Sequence, residues 1–204
     1  DMFSGPALQP FQQKLANIQG IESTTLSSNS ILGGFIMQLT IQKEDGSEEM
    51  RALTFIHSDS TFLPTMNVRI LQGMSPQEAL SKYDSPFYIN ENYARWTNIR
   101  PEDIGVKKKK DINPQYFPQA ENVLAGIIEN IPTNSLQEEI MAQEITLHET
   151  GDPYLSKNGM YIQIRIKPDK REETIAAIKQ LYEETFDGRD YIYMDMHQMF
   201  LDRN

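Results

Sequence analysis

Apolar residues recur along this chain with two periods, and the periods divide it into elements. Leu8, Phe11, Leu15 and Ile18 repeat at helical spacing behind Ser4 and Pro6, and Gly20 ends the run, which predicts a helix over 6–18. The next residues, IESTTLSS (21–28), are rich in β-branched and hydroxyl side chains and read as a strand. FIMQLTI (35–41) and MRALTFI (50–56) alternate apolar and polar positions. They flank KEDGSEE, whose Asp45-Gly46 pair marks a hairpin. A short turn at Thr61 to Thr65 leads into NVRIL (67–71), and PFYI (86–89) leads into a short helix over 90–97 carrying Trp96. Val123 to Ile128 is a continuous apolar run, the pattern of a buried strand. It breaks at Asn130 and Pro132, and a short helical turn is expected from Ser135 to Ile140. AQEITLHE (142–149) and MYIQIRI (160–166) are further strands. Ile175, Ile178, Leu181, Tyr182 and Phe186 stripe a helix over 170–186, with Asp169 and Glu172 spaced as a capping box. Gly188 stops it, and DYIYM (190–194) reads as a strand.

This pattern predicts an α+β fold. The last third reads as strand, helix, strand, a βαβ or split βαβ unit, and the opening helix and strand repeat half of it. The segment from Ile104 to Ala120 holds Lys107, Lys108, Lys109 and Lys110, two prolines and Phe117, and reads as an exposed excursion.

Composition narrows the classes. A chain of 204 residues with 39% hydrophobic residues can bury a core without a disulfide or metal staple. Its net charge of −10 repels phosphate, which argues against a nucleic-acid partner. There is no cysteine, so disulfides, thiolate catalysis and cysteine-ligated zinc are excluded. No run of 18 apolar residues is present to span a membrane. The sequence opens at Asp1 and stops at Asn204, so an excerpt of a longer, membrane-anchored protein is expected.

Candidate chemistry is thin. Lys107 to Lys110 could meet phosphate or lipid headgroups, but four charges on so acidic a chain fit a solvated loop. Asp195 and His197 could share one strand face as metal ligands, yet His57 and His148 are isolated and no HExxH spacing occurs. The acidic doublets Glu48-Glu49, Glu138-Glu139, Glu172-Glu173 and Glu183-Glu184 point adjacent carboxylates in different directions and read as solvated faces. His57, Ser58, Asp59 and Ser60 include the residue types of a triad, but sequence neighbours do not form one; Ser58 or Asp59 reads as the cap of a helical turn. Met194, Met196 and Met199 read as core, as does Trp96. No GxSxG, P-loop or GxGxxG is present. No catalytic, cofactor-binding or metal residue is assigned, and no cofactor is expected.

The order of segments carries a resemblance. PFQQKLANIQGIESTTLSSN contains Phe11, Leu15, Gly20, Ile21, Thr24 and Ser27 in the pattern of a helix followed by a serine-rich strand. FIHSDSTFLPTMNVRILQGM places Asp59, Phe62, Met66, Ile70 and Gly73. PFYINENYARWTNIRPEDIGVKKK places Ile89, Asn90, Glu91, Ala94, Ile104 and Gly105. ENVLAGIIENIPTNSLQEEI places Val123, Gly126, Ile127, Ser135 and Leu136. In this order the stretches resemble the periplasmic core domain of MacB/FtsX-family ABC transporter permeases. The resemblance covers essentially the whole chain. Met74 stands where the family carries Arg, and Asn130 where it carries Asp.

The resemblance implies two subdomains. A porter-like split βαβ unit would be built from both chain ends, 1–74 and 155–204, and an inserted mixed α/β (sabre-like) subdomain from 75–154. It further implies an inner-membrane protein with this segment facing the periplasm. Its partners would be a cytoplasmic ATPase, separate or fused, a second permease copy, and a periplasmic adaptor, outer-membrane protein or lipoprotein. Its work would be mechanotransmission in efflux or lipoprotein export, with no catalysis in this segment. Two other readings are a free extracytoplasmic binding or adaptor module, which predicts a concave apolar pocket, and a hydrolase, which predicts converging acids of raised pKa.

Overall fold

The computed structural model describes residues 5–31, 35–42, 46–132, 140–158, 161–196, 198 and 199. Within them the fold is α+β, as expected. The strands are β1 (Ile21–Ser27), β2 (Phe35–Gln42), β3 (Glu48–Asp59), β4 (Ile70–Gly73), β5 (Phe87–Asn90), β6 (Leu124–Ile128), β7 (Ala142–His148) and β8 (Tyr161–Ile166). The helices are α1 (Gly5–Leu15), α2 (Phe62–Thr65), α3 (Pro76–Lys82), α4 (Glu91–Trp96), α5 (Lys109–Ile112), α6 (Pro153–Asn158) and α7 (Arg171–Thr185).

All eight strands join one mixed sheet in the order β4-β6-β5-β7-β3-β1-β8, with β2 paired to β3. The long strand β3 organises it. Residues 53–59 pair in parallel with β7, while 48–55 pair antiparallel with β2. A strand has two edges, so Ser58, which pairs with Ser27 of β1, uses the edge that β2 uses further back. The hairpin expected at Asp45-Gly46 is present as the β2–β3 pairing down to Gln42 opposite Glu48, although Asp45 itself lies outside the described residues. At the far end, β1 and β8 run antiparallel with Ile21 opposite Ile166.

Period two, with a register shift in β6 between Leu124 and Gly126, sorts the strand side chains into two cores. On one face Leu53, Phe55, Phe87, Ile89, Leu124 and Ile127 pack under Tyr93 and Ala94 of α4. On the other, Ile56, Tyr88, Ala125, Ile128, Ile145 and Leu147 pack under Phe62 and Leu63 of α2 and Ala79 of α3. The chain ends make a third core: Leu8, Phe11 and Leu15 of α1 meet Ile178 and Tyr182 of α7, Phe186, and Leu26 of β1. The apolar run at 124–128 is a fully buried strand, as its continuous pattern predicts. It also fixes a close approach. Gly73 pairs with Gly126, and a Cβ on Gly73 would stand 2.3 Å from the Ala125 carbonyl oxygen.

Several expectations are corrected. Residues 190–194 form no strand, so the closing unit is β8 and α7 alone. The segment instead follows α7, held by the Tyr182 hydroxyl donating to the Asp190 carbonyl at 3.1 Å and by Tyr191 against Tyr182. Ile192, Tyr193 and Met194 are exposed, because no strand or helix among the described residues covers them. Met194 is thus not core, while Met196 packs partly against the α2 side. The Asp169 capping box is not made: Pro168–Lys170 form a 3-10 turn, and α7 begins behind Lys170 without a side-chain cap. The excursion at 104–120 is not a free loop. Lys109 and Lys110 N–H groups donate to the Asn122 and Ala120 carbonyls, and Tyr116 and Phe117 pack on the first core. Ser4, Ser135 to Leu136, Glu138-Glu139 and His197 lie outside the described residues.

Candidate functional site

The β3–β7 seam buries polar chemistry. Strand β7 alternates Glu144, Thr146 and His148 on one face with Ile145 and Leu147 on the other. Alternation of this kind ordinarily puts the polar face in water, yet every residue of β7 is buried. Parallel register sets Phe55 beside Glu144 and His57 beside Thr146. Phe55, His57, Glu144, Thr146 and His148 therefore share one face. The excursion carrying α5 lies over part of it, and α6 brings Tyr154 over the rest.

Lys109 is the first consequence. Of the four consecutive lysines it alone is buried, at 7% exposure. Its ammonium lies 2.5 Å from Glu144 Oε1, 4.1 Å from the Phe117 ring centre and 4.9 Å from that of Phe55. Thr146 donates to the same carboxylate oxygen at 3.3 Å, and Glu144 Oε2 is buried without a hydrogen-bond partner. Lys108 and Lys110 both pair with Glu121 at the surface. The solvated-loop reading therefore holds for these two and fails for Lys109. No feature of the run distinguishes the residue that turns inward; the aromatic ring of Phe117 eight residues on is the nearest cue.

The histidines that are isolated in sequence meet in space. His57 Nδ1 and His148 Nε2 are 2.9 Å apart, and the Tyr154 ring stacks parallel on His148 at 4.9 Å. Asp152 Oδ2 lies 3.5 Å from His148 Nδ1 and favours a proton there. His148 Nε2 then accepts, and His57 Nδ1 donates. Burial, the neighbouring His148 and the Lys109 charge push the His57 pKa down to about 3. Burial likewise lowers that of His148. The pair is neutral at physiological pH.

Ser85, a residue held at φ +49°, places its hydroxyl 3.4 Å from His148 Nδ1. Ser, His and Asp are thus adjacent, but Ser85 and Asp152 both face the same ring nitrogen. A nucleophile relay needs them on opposite nitrogens, and here the other nitrogen is taken by His57. The grouping orders a loop and does not activate a hydroxyl. A cavity of about 550 Å³ borders it, lined by Tyr83, Asp84, Glu149 and Asp152 among others.

The remaining candidates disperse. Asp59 is buried on β3 and accepts from the Thr25 hydroxyl at 2.7 Å, Leu26 N–H at 2.9 Å, Thr61 N–H at 3.0 Å and Gln12 at 3.1 Å. Neither Ser58 nor Asp59 is the cap expected of them: α2 begins behind Thr61 without a side-chain cap, and Asp59 instead holds Thr61 and ties α1 and β1 to β3. Asp195 pairs with Arg171. Glu49 pairs with Arg51, and Glu183 with Lys179. Among the described residues no group of three or more His, Asp or Glu side chains is placed to hold a metal, and no helix is long and apolar enough to cross a membrane. Trp96 is half-buried on the first core with the Arg51 guanidinium 4.8 Å over its ring.

Over Phe55 and His57 a groove of about 470 Å³ opens between β2, the excursion and α6. Phe35, Met37, Phe117 and Tyr154 form its walls, with Lys109 and Lys157 among its lining residues.

No protein-family model and no curated protein sequence matches the chain. Solved structures do. The periplasmic region of MacB from Actinobacillus actinomycetemcomitans superposes with a TM-score of 0.59 at 11% identity, over 95% of this chain and 80% of that one. The extracellular domain of the noncanonic ABC-type transporter YknZ from Gram-positive bacteria gives 0.54 at 12% identity, over 86% and 81%. At such identities the likeness is one of fold, and it runs through the mixed sheet and its covering helices. This chain has the fold of the periplasmic region of MacB and of the extracellular domain of the ABC-type transporter YknZ.

Proposed function

We propose that this chain is the extracytoplasmic domain of an ABC transporter permease. On this reading it transmits ATPase-driven conformational change across the membrane to a periplasmic substrate or partner, in efflux or in lipoprotein or lipid export. The observation that carries the proposal is the shared fold over 95% of the chain. The protein would sit in the inner membrane with this segment facing the periplasm. It would work with a cytoplasmic ATPase, a second copy of the permease, and an adaptor, outer-membrane or lipoprotein partner.

Mechanical work needs stiff elements joined at both ends of the lever. Here α1 and α7 share a core with β1, and Asp59 fastens α1 and β1 to β3. We assign 1–74 and 155–204 to a membrane-proximal, porter-like unit and 75–154 to an inserted one. The two segments meet where β3 pairs with β7 and β4 with β6, and each would turn as a rigid body relative to the other, the hinge type of switch.

The test has two arms. The reading frame beyond each end should contain apolar runs of about 20 residues; a leader peptide and a stop codon in their place overturn the proposal. In the full-length permease, cysteine pairs linking segment 75–154 to the porter-like unit should abolish transport and preserve ATP binding; residues 1–204 contain no cysteine of their own to compete for these links. Unchanged transport in the linked protein overturns the lever.

A further inference from the structure

The groove over Phe55 and His57 combines three properties. Its volume of about 470 Å³ suits a small molecule. Its walls are ring-rich, with Phe35, Phe117, Tyr154 and His57 surrounding one space, and Met37 can adjust to fill it. Its charge is the reverse of the molecule's. In a chain of net charge −10, the charged residues lining the groove among the described residues are two lysines, with no carboxylate beside them. Lys109 is balanced from behind by Glu144, at 2.5 Å. Lys157 is exposed at the rim, where no ion pair holds it among the described residues, and brings its cation on a flexible stem.

We infer that this groove binds a small aromatic anion, its rings against Phe35, Phe117 and Tyr154 and its carboxylate or sulfonate toward Lys157. Rings seat against rings in offset or edge-to-face contact, whereas an alkyl chain makes no use of that geometry. A cation would meet two lysines and no counter-charge. His57 and His148 stay neutral at physiological pH and add surface to the wall without adding charge. The inference stands on the groove alone and holds whether or not the chain belongs to a transporter.

The test uses two dyes with nearly the same ring system. One is 8-anilinonaphthalene-1-sulfonate, which is anionic; the other is N-phenyl-1-naphthylamine, which is not charged. Titrated into the 204-residue chain, the sulfonate should bind saturably at one site and several-fold more tightly than the amine. Lys157→Glu should weaken the sulfonate several-fold and leave the amine unchanged. Phe35→Ser should weaken both. Phe35 is 66% exposed and Lys157 is exposed, so both variants should keep the parent's circular dichroism and thermal midpoint. Equal affinity for the two dyes overturns the inference, as does non-saturable binding. Affinity unchanged in both variants places the dye elsewhere and overturns it too.

Discussion

Lys109 and Glu144 are 35 positions apart in sequence and 2.5 Å apart in space, both buried. The pair joins the excursion to the middle of the sheet. Removing one partner leaves a charge in an apolar setting, whereas removing both leaves only volume to fill. Lys109→Met alone should lower unfolding free energy by about 3–5 kcal/mol. The double variant Lys109→Met, Glu144→Met should recover most of that loss. Urea unfolding of the three proteins checks it; a double variant as unstable as the single one contradicts the argument.

The paired histidines make stability pH-dependent. Unfolded, His57 takes a proton near 6.5; folded, it does so only at about 3. Unfolding therefore takes up a proton between those values. The contribution is complete above pH 6.5 and is lost as pH falls toward 3, at a slope approaching about 1.4 kcal/mol per pH unit. Urea midpoints at pH 7.5 and 5 should differ by more in the parent than in His57→Gln, which has no proton to take up.

Gly73 and Gly126 face each other where β4 meets β6. Gly73 has φ +116°, and a Cβ on Gly126 would stand 2.6 Å from the Gln72 carbonyl oxygen. Either Gly→Ala substitution should cost about 3 kcal/mol, since the obstruction is backbone and cannot rotate away. Gly151→Ala also has positive φ but meets nothing within 4 Å, so it should cost less. Thermal midpoints of the three variants separate strain from collision.

Asp59 collects donors from α1, β1 and the turn before α2. Asp59→Ala should cost about 3 kcal/mol, because it strands buried donors at Thr25 and Leu26. Asp59→Asn keeps one acceptor oxygen and should cost roughly half as much. Amide hydrogen exchange should show Leu26 N–H losing protection first in both.

Most of the fold was legible because burial is periodic. The stripe on α7, the β2–β3 hairpin and the buried run of β6 all follow from spacing. The strand read at 190–194 failed because β-propensity supplies no partner edge, and Ile192 has none. The site was less legible. Glu144, Thr146 and His148 alternate as a solvent face would, and only the excursion folded over them makes that face interior. His57 and His148 come from strands whose pairing is parallel and distant in sequence, and local pattern does not report such pairing. Lys109 sits in a run where every neighbour has the same side chain. Its burial depends on Glu144, a partner the run itself does not point to.

The pairing of Ile21 with Ile166 sets how the molecule would respond to load. The start of β1 and the end of β8 lie at the same end of an antiparallel ladder. Drawing the two apart would open that ladder one hydrogen bond at a time, the weak unzipping direction. Displacing them together would stress none of its bonds. The architecture is thus compliant to tension between its ends and stiff when both ends are pushed in concert.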